Sequence, residues 1–388
     1  MKSLRSVLFW LHLAAGVAAG VIILVMSATG ALLALKPQIL NAVEKDVRFV
    51  TPPATGSRLG VGALLASVRR ARPDARPATV TLQADPAAAA AVALGRDGTI
   101  YLDPYSGRVL GDGSPRAQRF FRTVEDWHRW LGVSPERRAS ARSATGASNL
   151  AFFFLAVSGP YLWWPRNWSW PSVRGVVWFR AARSARARDF NWHNVIGLWC
   201  APILIVLTIT GVVMSYPWAN ALLYRLAGSA PPVTAGAGGG PAAASRGGEG
   251  RPAPLPENLD AIWSRATEQV PTWRTITARL PARAGAAVAF TIVDAQSWNA
   301  FARSQLTVGA ADAAVLKWEP YDASSRGQKW RGWVRFGHTG ELGGLPGQLV
   351  AGLACAGGTV LVWTGLALAF RRLLAWRRVV SRANAEAA

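Results

Sequence analysis

Four long apolar runs constrain the fold of this chain more than any other feature of its sequence. They cover residues 7–35, 147–164, 195–216 and 345–370. Each is about long enough to cross a hydrocarbon core of roughly 30 Å as a helix, and the second, with 18 residues, is the shortest. The sequence therefore predicts an α-helical integral membrane protein with four transmembrane helices.

The first and third apolar runs carry the same pattern of residues, displaced by 181 positions. The matched pairs are His12 and His193, Gly16 and Gly197, Thr29 and Thr210, Gly30 and Gly211, and, one position out of step, Pro37 and Pro217. An ionisable side chain in a membrane span is energetically costly and is therefore a functional candidate. Its repetition indicates that two halves of the chain build one site.

The charges are strongly unbalanced, with 43 basic residues, 21 acidic residues and a net charge of +22. In a four-span protein such charges set the topology and contact anionic lipid, so we expect a lipid bilayer and no nucleic acid as partner. The basic loop at 165–192 and the basic C-terminal tail place both termini in the cytoplasm. The long segments 36–142 and 217–340 then lie outside. The first run follows Lys2 and Arg5 as a signal peptide would, but its length predicts an uncleaved anchor.

The span–loop–span unit occurs twice, and each loop has the pattern of a small α+β domain. The predicted boundaries are transmembrane helices at 1–36, 143–165, 191–218 and 336–371 (the last with a histidine loop before it), α+β domains at 37–115 and 257–335, an amphipathic interfacial helix and connector at 116–142, a basic cytoplasmic loop at 166–190, a disordered Gly/Pro/Ala linker at 227–256 and a cytoplasmic tail at 372–388. Within the α+β domains, the patterns predict helices at 59–71 and 259–270 and strands at 78–83, 98–102, 108–110, 273–280, 287–293, 305–308 and 314–319.

Several familiar kinds of site are missing from the sequence. Cys200 and Cys355 both lie in predicted spans, and no CxxC or CxxCH motif predicts zinc, an iron–sulfur cluster or covalent haem. There is no GxSxG, HExxH or P-loop motif, and the glycines at 236–240 belong to the linker. The sequence therefore contains no flavin or nicotinamide domain and no catalytic group of these types.

The chain has four histidines, and all four lie at or near a predicted membrane interface. His12 and His193 begin the first and third spans on the cytoplasmic side, and His128 and His338 precede the second and fourth spans on the outer side. Two neutral imidazoles complete a six-coordinate haem iron. The pattern therefore predicts two stacked haems, one held by His12 and His193 and the other by His128 and His338.

Glycines recur where a flat macrocycle needs clearance. Gly16 and Gly197 lie one helical turn beyond the cytoplasmic histidines, and Gly30 and Gly211 lie about 27 Å from those histidines along the same faces. Gly159 and Gly365 occupy the matching depth in the second and fourth spans. Three other interpretations stay open. An interfacial histidine is often just hydrogen-bonded, small residues in spans often mark helix contacts, and the histidines are also suited to copper or zinc.

The chain resembles the PepSY-associated transmembrane family, which includes bacterial inner-membrane ferric-siderophore reductases. The resemblance rests on His12 to Gly30, Trp127-His128-Arg129-Trp130-Leu131, Ser158-Gly159, Trp163-Trp164-Pro165-Arg166, Trp192-His193-Asn194, Thr210-Gly211, Gly337-His338-Thr339-Gly340 and the turn Asp103-Pro104-Tyr105-Ser106-Gly107. It implies four transmembrane helices in two repeated halves with two PepSY-like periplasmic domains. It also implies b-type haem and electron transfer across the bacterial inner membrane to a periplasmic ferric-siderophore, releasing Fe(II).

These observations lead to the hypothesis of a haem-dependent ferric-chelate reductase, with no catalytic residues apart from the haem ligands. An electron from an unidentified cytoplasmic or quinol donor would pass from the His12/His193 haem to the His128/His338 haem. Arg5 and Arg188 inside, and Arg129 and Arg335 outside, are candidate partners for haem propionates. Two alternatives remain: a non-enzymatic PepSY membrane module that binds or restrains a periplasmic partner, and a permease for iron, copper or the siderophore.

Overall fold

The computed structural model describes residues 2–95, 98–164, 169–231, 256–281, 283, 285–297, 299 and 301–386. Most of the predicted linker, residues 232–255, and Arg166 of the predicted basic loop lie outside the described residues. The chain forms two compact units. The helical unit comprises Met1–Lys36, Phe121–Leu226 and Trp330–Ala388, and the sheet unit comprises Pro37–Phe120 and Ala227–Lys329.

Twelve α-helices and eight strands are assigned within the described residues. The helices are α1 (Lys2–Ala34), α2 (Lys36–Val43), α3 (Lys45–Arg48), α4 (Val61–Ala71), α5 (Pro115–Trp130), α6 (Arg138–Trp163), α7 (Trp170–Val177), α8 (Ala185–Ser215), α9 (Pro217–Leu226), α10 (Leu259–Gln269), α11 (Arg326–His338) and α12 (Gly344–Glu386). The strands are β1 (Thr79–Gln83), β2 (Ala90–Ala93), β3 (Thr99–Leu102), β4 (Val109–Asp112), β5 (Trp273–Arg279), β6 (Val288–Asp294), β7 (Arg303–Val308) and β8 (Val315–Glu319).

Four long helices form the body of the helical unit. Helices α1 and α8 each pack against both α6 and α12, so α1 and α8 occupy opposite corners of a four-helix arrangement. The core of this arrangement is built mostly from small and aliphatic side chains, among them Ala156, Leu204 and Ala354. Small residues let membrane helices approach closely, because packing rather than hydrophobic burial holds them together in lipid.

Within the described residues, three helices are long and apolar enough to cross a membrane: Leu4–Ala34, Ala185–Ser215 and Glu341–Ser381. Large apolar side chains point away from the unit, and Val21 is 66%, Leu353 70% and Trp363 67% exposed, which suits contact with lipid tails. Helix α6, which holds the fourth predicted span, does not reach the same hydropathy. It begins at Arg138, earlier than predicted, and its first half buries polar side chains such as Ser148 and Asn149. The fourth span therefore stays a prediction.

The sheet unit contains one continuous antiparallel sheet with the strand order β4-β3-β2-β1-β5-β6-β7-β8. The sequence predicts two separate small domains, whereas in the structure β1 of the first pairs with β5 of the second. At the centre of this pairing Thr81 lies opposite Thr277, and their hydroxyl oxygens are 3.0 Å apart. A single core, including Val68, Ile262 and Phe290, joins the sheet to α4 and α10. Strands β1 to β4 form one side of the sheet and β5 to β8 form the other, and β1 and β5 are adjacent at its centre.

Most elements of the sheet unit were predictable from local patterns. Seven strands and both helices confirm the predictions to within a few residues, and Asp103 accepts a hydrogen bond from the amide of Tyr105 at 2.8 Å in the predicted turn. Gly107 closes that turn with φ +70°, which a side chain would disfavour. Strand β2 was not predicted, because its alanine-rich sequence has no alternation of apolar and polar residues.

Candidate functional site

Each of the four histidines hydrogen-bonds a hydroxyl side chain from another helix. The Nδ1-to-oxygen distances are 2.8 Å for His12 and Ser158, 2.9 Å for His128 and Thr29, 3.0 Å for His193 and Thr364, and 3.0 Å for His338 and Thr210. In every case the hydroxyl residue immediately precedes a glycine in the sequence. The structure thus assigns one Ser-Gly or Thr-Gly pair to each histidine.

The hydrogen bonds made by the hydroxyl groups determine which imidazole nitrogen carries the proton. Thr29, Thr210 and Thr364 each donate to the backbone carbonyl four residues earlier, at 2.6 to 2.8 Å. Because a carbonyl can only accept, the hydroxyl proton is used there and its lone pair accepts from Nδ1–H of the histidine. His338 Nδ1 also lies 2.9 Å from the carbonyl oxygen of Leu207, which again requires a proton on Nδ1. The Nε2 atom then keeps its lone pair, and this is the atom that can bind a metal.

The glycines after the hydroxyl residues lie close to side chains from other helices. A Cβ atom at Gly30 would lie 3.4 Å from Cε1 of His128, one at Gly159 3.7 Å from that of His12, and one at Gly365 3.2 Å from that of His193. A side chain at Gly365 would therefore crowd the His193 ring, whereas Gly30 and Gly159 meet their imidazoles at ordinary van der Waals distances. The clearance that these glycines would give to a macrocycle stays a prediction. Gly211 makes room for Asn149 instead, since a Cβ there would lie 2.9 Å from the Asn149 amide nitrogen.

Gly16 and Gly197 lie one turn beyond the inner histidines, as predicted. A Cβ atom at Gly16 would approach its nearest neighbour, a methyl carbon of Leu155, to 3.9 Å, and one at Gly197 would lie 3.6 Å from a methyl carbon of Leu361. Both are ordinary van der Waals distances. The surroundings of these two glycines are therefore less crowded than those of Gly365, and their predicted role in giving clearance stays a prediction.

The histidines form two pairs, and each pair is drawn from two helices. His12 on α1 and His193 on α8 are close enough for their charges to interact, and the same holds for His128 at the end of α5 and His338 at the end of α11. The inner pair therefore comes from opposite corners of the four-helix arrangement, and α6 and α12 supply its hydroxyl groups. For the outer pair, α1 and α8 supply the hydroxyl groups. Along both helices, 17 residues separate the inner histidine from the outer threonine, a rise of about 26 Å.

Left-handed residues end the two short helices that carry the outer histidines. Leu131 and Gly132, with φ of +55° and +68°, directly follow Trp130, the last residue of α5. Helix α11 ends near Gly340, with φ +74°, where a Cβ atom would lie only 2.6 Å from the carbonyl oxygen of Gly347. The chain can turn this sharply after His338 because glycine lacks a side chain. These turns place each outer histidine in the last turn of its helix.

Burial keeps the outer histidines neutral. It lowers the pKa of His128 to about 4, with a smaller contribution from nearby His338, and it also lowers the pKa of His338. Neutral imidazole is the form that ligates metals. Among the described residues no three His, Cys, Asp or Glu side chains converge as a group that could hold a bare metal ion. Each pair therefore offers two imidazoles, which is the number that a bis-histidine haem requires.

The predicted inner arginines are already engaged by protein groups. Arg5 donates to the carbonyl oxygens of Leu162 and Trp164, the latter at 3.3 Å, and so satisfies the end of α6. Arg188 pairs with the buried carboxylate of Asp189 at 2.9 Å, and Arg371 of α12 donates to the same carboxylate at 2.6 Å. Sequence reasoning noted Asp189 as the one acid of the basic loop but missed its role as a tie between α8 and α12.

The predicted outer arginines lie in a group of cations. Arg129 stacks over Trp130 at 4.4 Å and lies near Arg335, Arg138 and Arg142. Arg331 lies near Arg335 and His338. Sequence reasoning missed Arg331, although its spacing of seven residues from His338 places both on one helix face.

Two comparisons with known proteins bear on this site. The sequence model of the family described as "PepSY-associated TM region" matches residues 9–372, nearly the whole chain and all four histidines. Among proteins with curated descriptions, none matches this chain with significance.

Proposed function

We propose that this chain, which belongs to the PepSY-associated TM region family, is a membrane protein that holds two b-type haems and reduces a ferric chelate such as a ferric-siderophore. The observation that carries the proposal is the fourfold hydrogen bond from a histidine Nδ1 to a Ser or Thr hydroxyl. Four copies of one arrangement, on four different pairs of helices, are hard to explain as incidental contacts of interfacial histidines.

The residues of each pair perform three tasks. The hydroxyl group fixes the tautomer and the plane of the ring, Gly30, Gly159 and Gly365 leave space beside their imidazoles, and the free Nε2 provides a ligand. Because the two histidines of a pair come from different helices, they can bind one group from both sides. His12 and His193 would hold one haem, and His128 and His338 the other. Haem iron, when bound, supplies one-electron redox chemistry.

The positions of the two pairs suit electron transfer across a membrane. The rise of about 26 Å along α1 and α8 is close to the roughly 30 Å thickness of a hydrocarbon core. One pair therefore lies near each face. The basic residues between α6 and α8 support a cytoplasmic location for the inner pair, because short cytoplasmic loops are rich in Arg and Lys. The sheet unit and the outer pair would then lie in the periplasm, where a ferric-siderophore would accept the electron.

Visible spectra of the purified full chain, oxidised and dithionite-reduced, test the proposal. We expect two haems per chain in the wild type. We expect His12→Ala and His193→Ala to remove the same haem, and His128→Ala and His338→Ala to remove the other. Asn194→Ala, next to His193 on α8, is the control and should keep both haems.

A colourless protein, made with ample haem during expression, would refute the proposal and would favour a PepSY module that binds a periplasmic partner. If His12→Ala and His338→Ala removed the same haem, the pairing would be wrong. Uptake of radioactive iron into proteoliposomes, in the absence of any reductant, would favour the permease.

A further inference from the structure

Three arginines near the outer histidine pair form no ion pair with a carboxylate anywhere in the part of the chain that the structure describes. They are Arg129, Arg331 and Arg335. On α11, Arg335 lies four residues after Arg331 and His338 lies seven residues after it, so the three share one helix face. Arg129 directly follows His128 on α5 and lies near Arg335 and also near Glu125, whose carboxylate is paired with Lys36. The three guanidinium groups therefore gather around the same two histidines.

Of the three arginines, Arg331 most needs a compensating anion, because it is half-buried whereas Arg129 and Arg335 are exposed. Arg331 is half-buried beside Tyr224, whose side chain is buried, and Arg335 is the nearby cation on the same helix face. Burial also lowers the pKa of the Arg331 guanidinium. A partly desolvated cation next to a like charge is costly unless a negative group compensates it.

Two contrasts within the chain indicate that arginines without a carboxylate partner are a specific feature of the outer histidine pair and of α11. On the inner side, Arg5 and Arg188 are satisfied by carbonyl oxygens and by Asp189. On α5, the positions seven and three residues before His128 hold Phe121 and Glu125, whereas the same positions before His338 hold Arg331 and Arg335. The two histidine helices therefore differ in charge at equivalent positions.

We propose that Arg129, Arg331 and Arg335 form a binding site for a carboxylate-bearing anion. A guanidinium group donates two parallel hydrogen bonds to a carboxylate, so three of them suit a ligand with more than one carboxylate. The carboxylates have two possible sources: the propionates of a haem at the outer pair, or a ferric chelate such as citrate. The identity of the anion rests on the proposed function, whereas the existence of the site rests on the arginines themselves.

Binding of gallium(III) citrate, a redox-inert analogue of the ferric complex, tests the second source without any haem chemistry. Equilibrium dialysis with the full chain in detergent should show binding to the wild type. Arg331→Gln and Arg335→Gln should each weaken it by at least about tenfold, since each removes charge-assisted hydrogen bonds. Arg326→Gln, on the same helix but at its exposed first residue, is the control and should bind as the wild type does. Arg331→Lys keeps the charge but not the paired hydrogen bonds, so it should bind more weakly than the wild type and more tightly than Arg331→Gln, which separates loss of charge from misfolding.

A redox titration of the outer haem tests the first source. Removing a cation disfavours the reduced state, which carries one more negative charge, so Arg331→Gln and Arg335→Gln should lower the midpoint potential. A tenfold change in the redox equilibrium corresponds to 59 mV for one electron. The proposal is overturned if neither the potential nor the binding of gallium citrate differs from Arg326→Gln. A colourless chain whose citrate binding still depends on Arg331 would refute the proposed function and leave the anion site standing.

Discussion

Replacing Ser158 by alanine tests the link between the hydroxyl groups and haem binding most directly. Within the described residues, the Ser158 hydroxyl, at 2.8 Å, is the one acceptor in hydrogen-bonding distance of His12 Nδ1. His338, in contrast, has two acceptors, the Thr210 hydroxyl at 3.0 Å and the Leu207 carbonyl oxygen at 2.9 Å. If His12 carries its proton on Nδ1 as the other three histidines do, Ser158→Ala leaves that N–H group without a partner, whereas Thr210→Val leaves one acceptor in place.

The expected magnitudes follow from this difference. A buried donor without a partner costs about 1–3 kcal/mol, and loss of a hydrogen bond to a metal-binding histidine weakens metal affinity by about 10–100-fold. We expect Ser158→Ala to weaken retention of the inner haem by this amount. For Thr210→Val we expect a loss of about 1 kcal/mol or less, or roughly fivefold, in retention of the outer haem.

The rate of haem transfer to excess apomyoglobin, followed by absorbance, measures this retention. Ser143→Ala is the matched control, because Ser143 lies on the same helix and its hydroxyl donates only to the carbonyl of Ala139, at 3.2 Å. The reasoning is refuted if Ser158→Ala loses haem no faster than Ser143→Ala. It is also refuted if Thr210→Val causes the larger loss.

Three further predictions concern other parts of the chain. Gly365→Ala should release the inner haem about tenfold faster, because its Cβ would lie 3.2 Å from His193 Cε1. Gly332→Ala is the control, since a Cβ there meets no atom within 4 Å, and equal rates of haem loss from the two variants would contradict the prediction. Asp189→Asn should lower the free energy of unfolding by roughly 1–2 kcal/mol, because it weakens two ion pairs whose arginines are partly exposed. An unchanged melting temperature in differential scanning fluorimetry would argue against this prediction. A double-mutant cycle of Thr81→Val and Thr277→Val should give a coupling below about 1 kcal/mol, and a larger value would mean that the central pairing of the sheet depends on this contact.

Local patterns predicted much of the fold but not how distant segments combine. The helices and strands of the sheet unit follow from apolar periodicity, because each buries one face. The pairing of β1 with β5 joins segments 196 residues apart at Thr81 and Thr277, and no local pattern specifies such a contact. Helix α6 illustrates a second limit. Hydropathy identified its apolar second half, whereas its first half buries polar groups that are satisfied by other helices, as when Asn149 donates to the carbonyl of Thr208 at 2.9 Å.

The candidate site was predictable in its histidines and less so in their partners. The matched spacing identified His12, His193 and the two Thr-Gly repeats, and positions before the second and fourth spans identified His128 and His338. The structure brings the histidines close together in the predicted pairs. The sequence analysis gave the important role to the glycine, because a flat macrocycle needs space. The hydroxyl residue beside it has an equally direct role, and only the three-dimensional contact shows which histidine each hydroxyl meets. Arg331 was missed because a seven-residue spacing from His338 is a weak signal in a chain with 43 basic residues.

The central position of β1 in the sheet has a consequence for how the chain is made. On the ribosome, β1 emerges with β2 to β4, but the strand that covers its other edge is synthesised 196 residues later. At roughly 5–20 residues per second, this delay is about 10–40 s. An uncovered strand edge readily pairs with other chains, so the nascent half-sheet is the stage most exposed to aggregation. Arrival of β5 ends this vulnerable period, which means that the second half of the protein acts as the folding partner of the first.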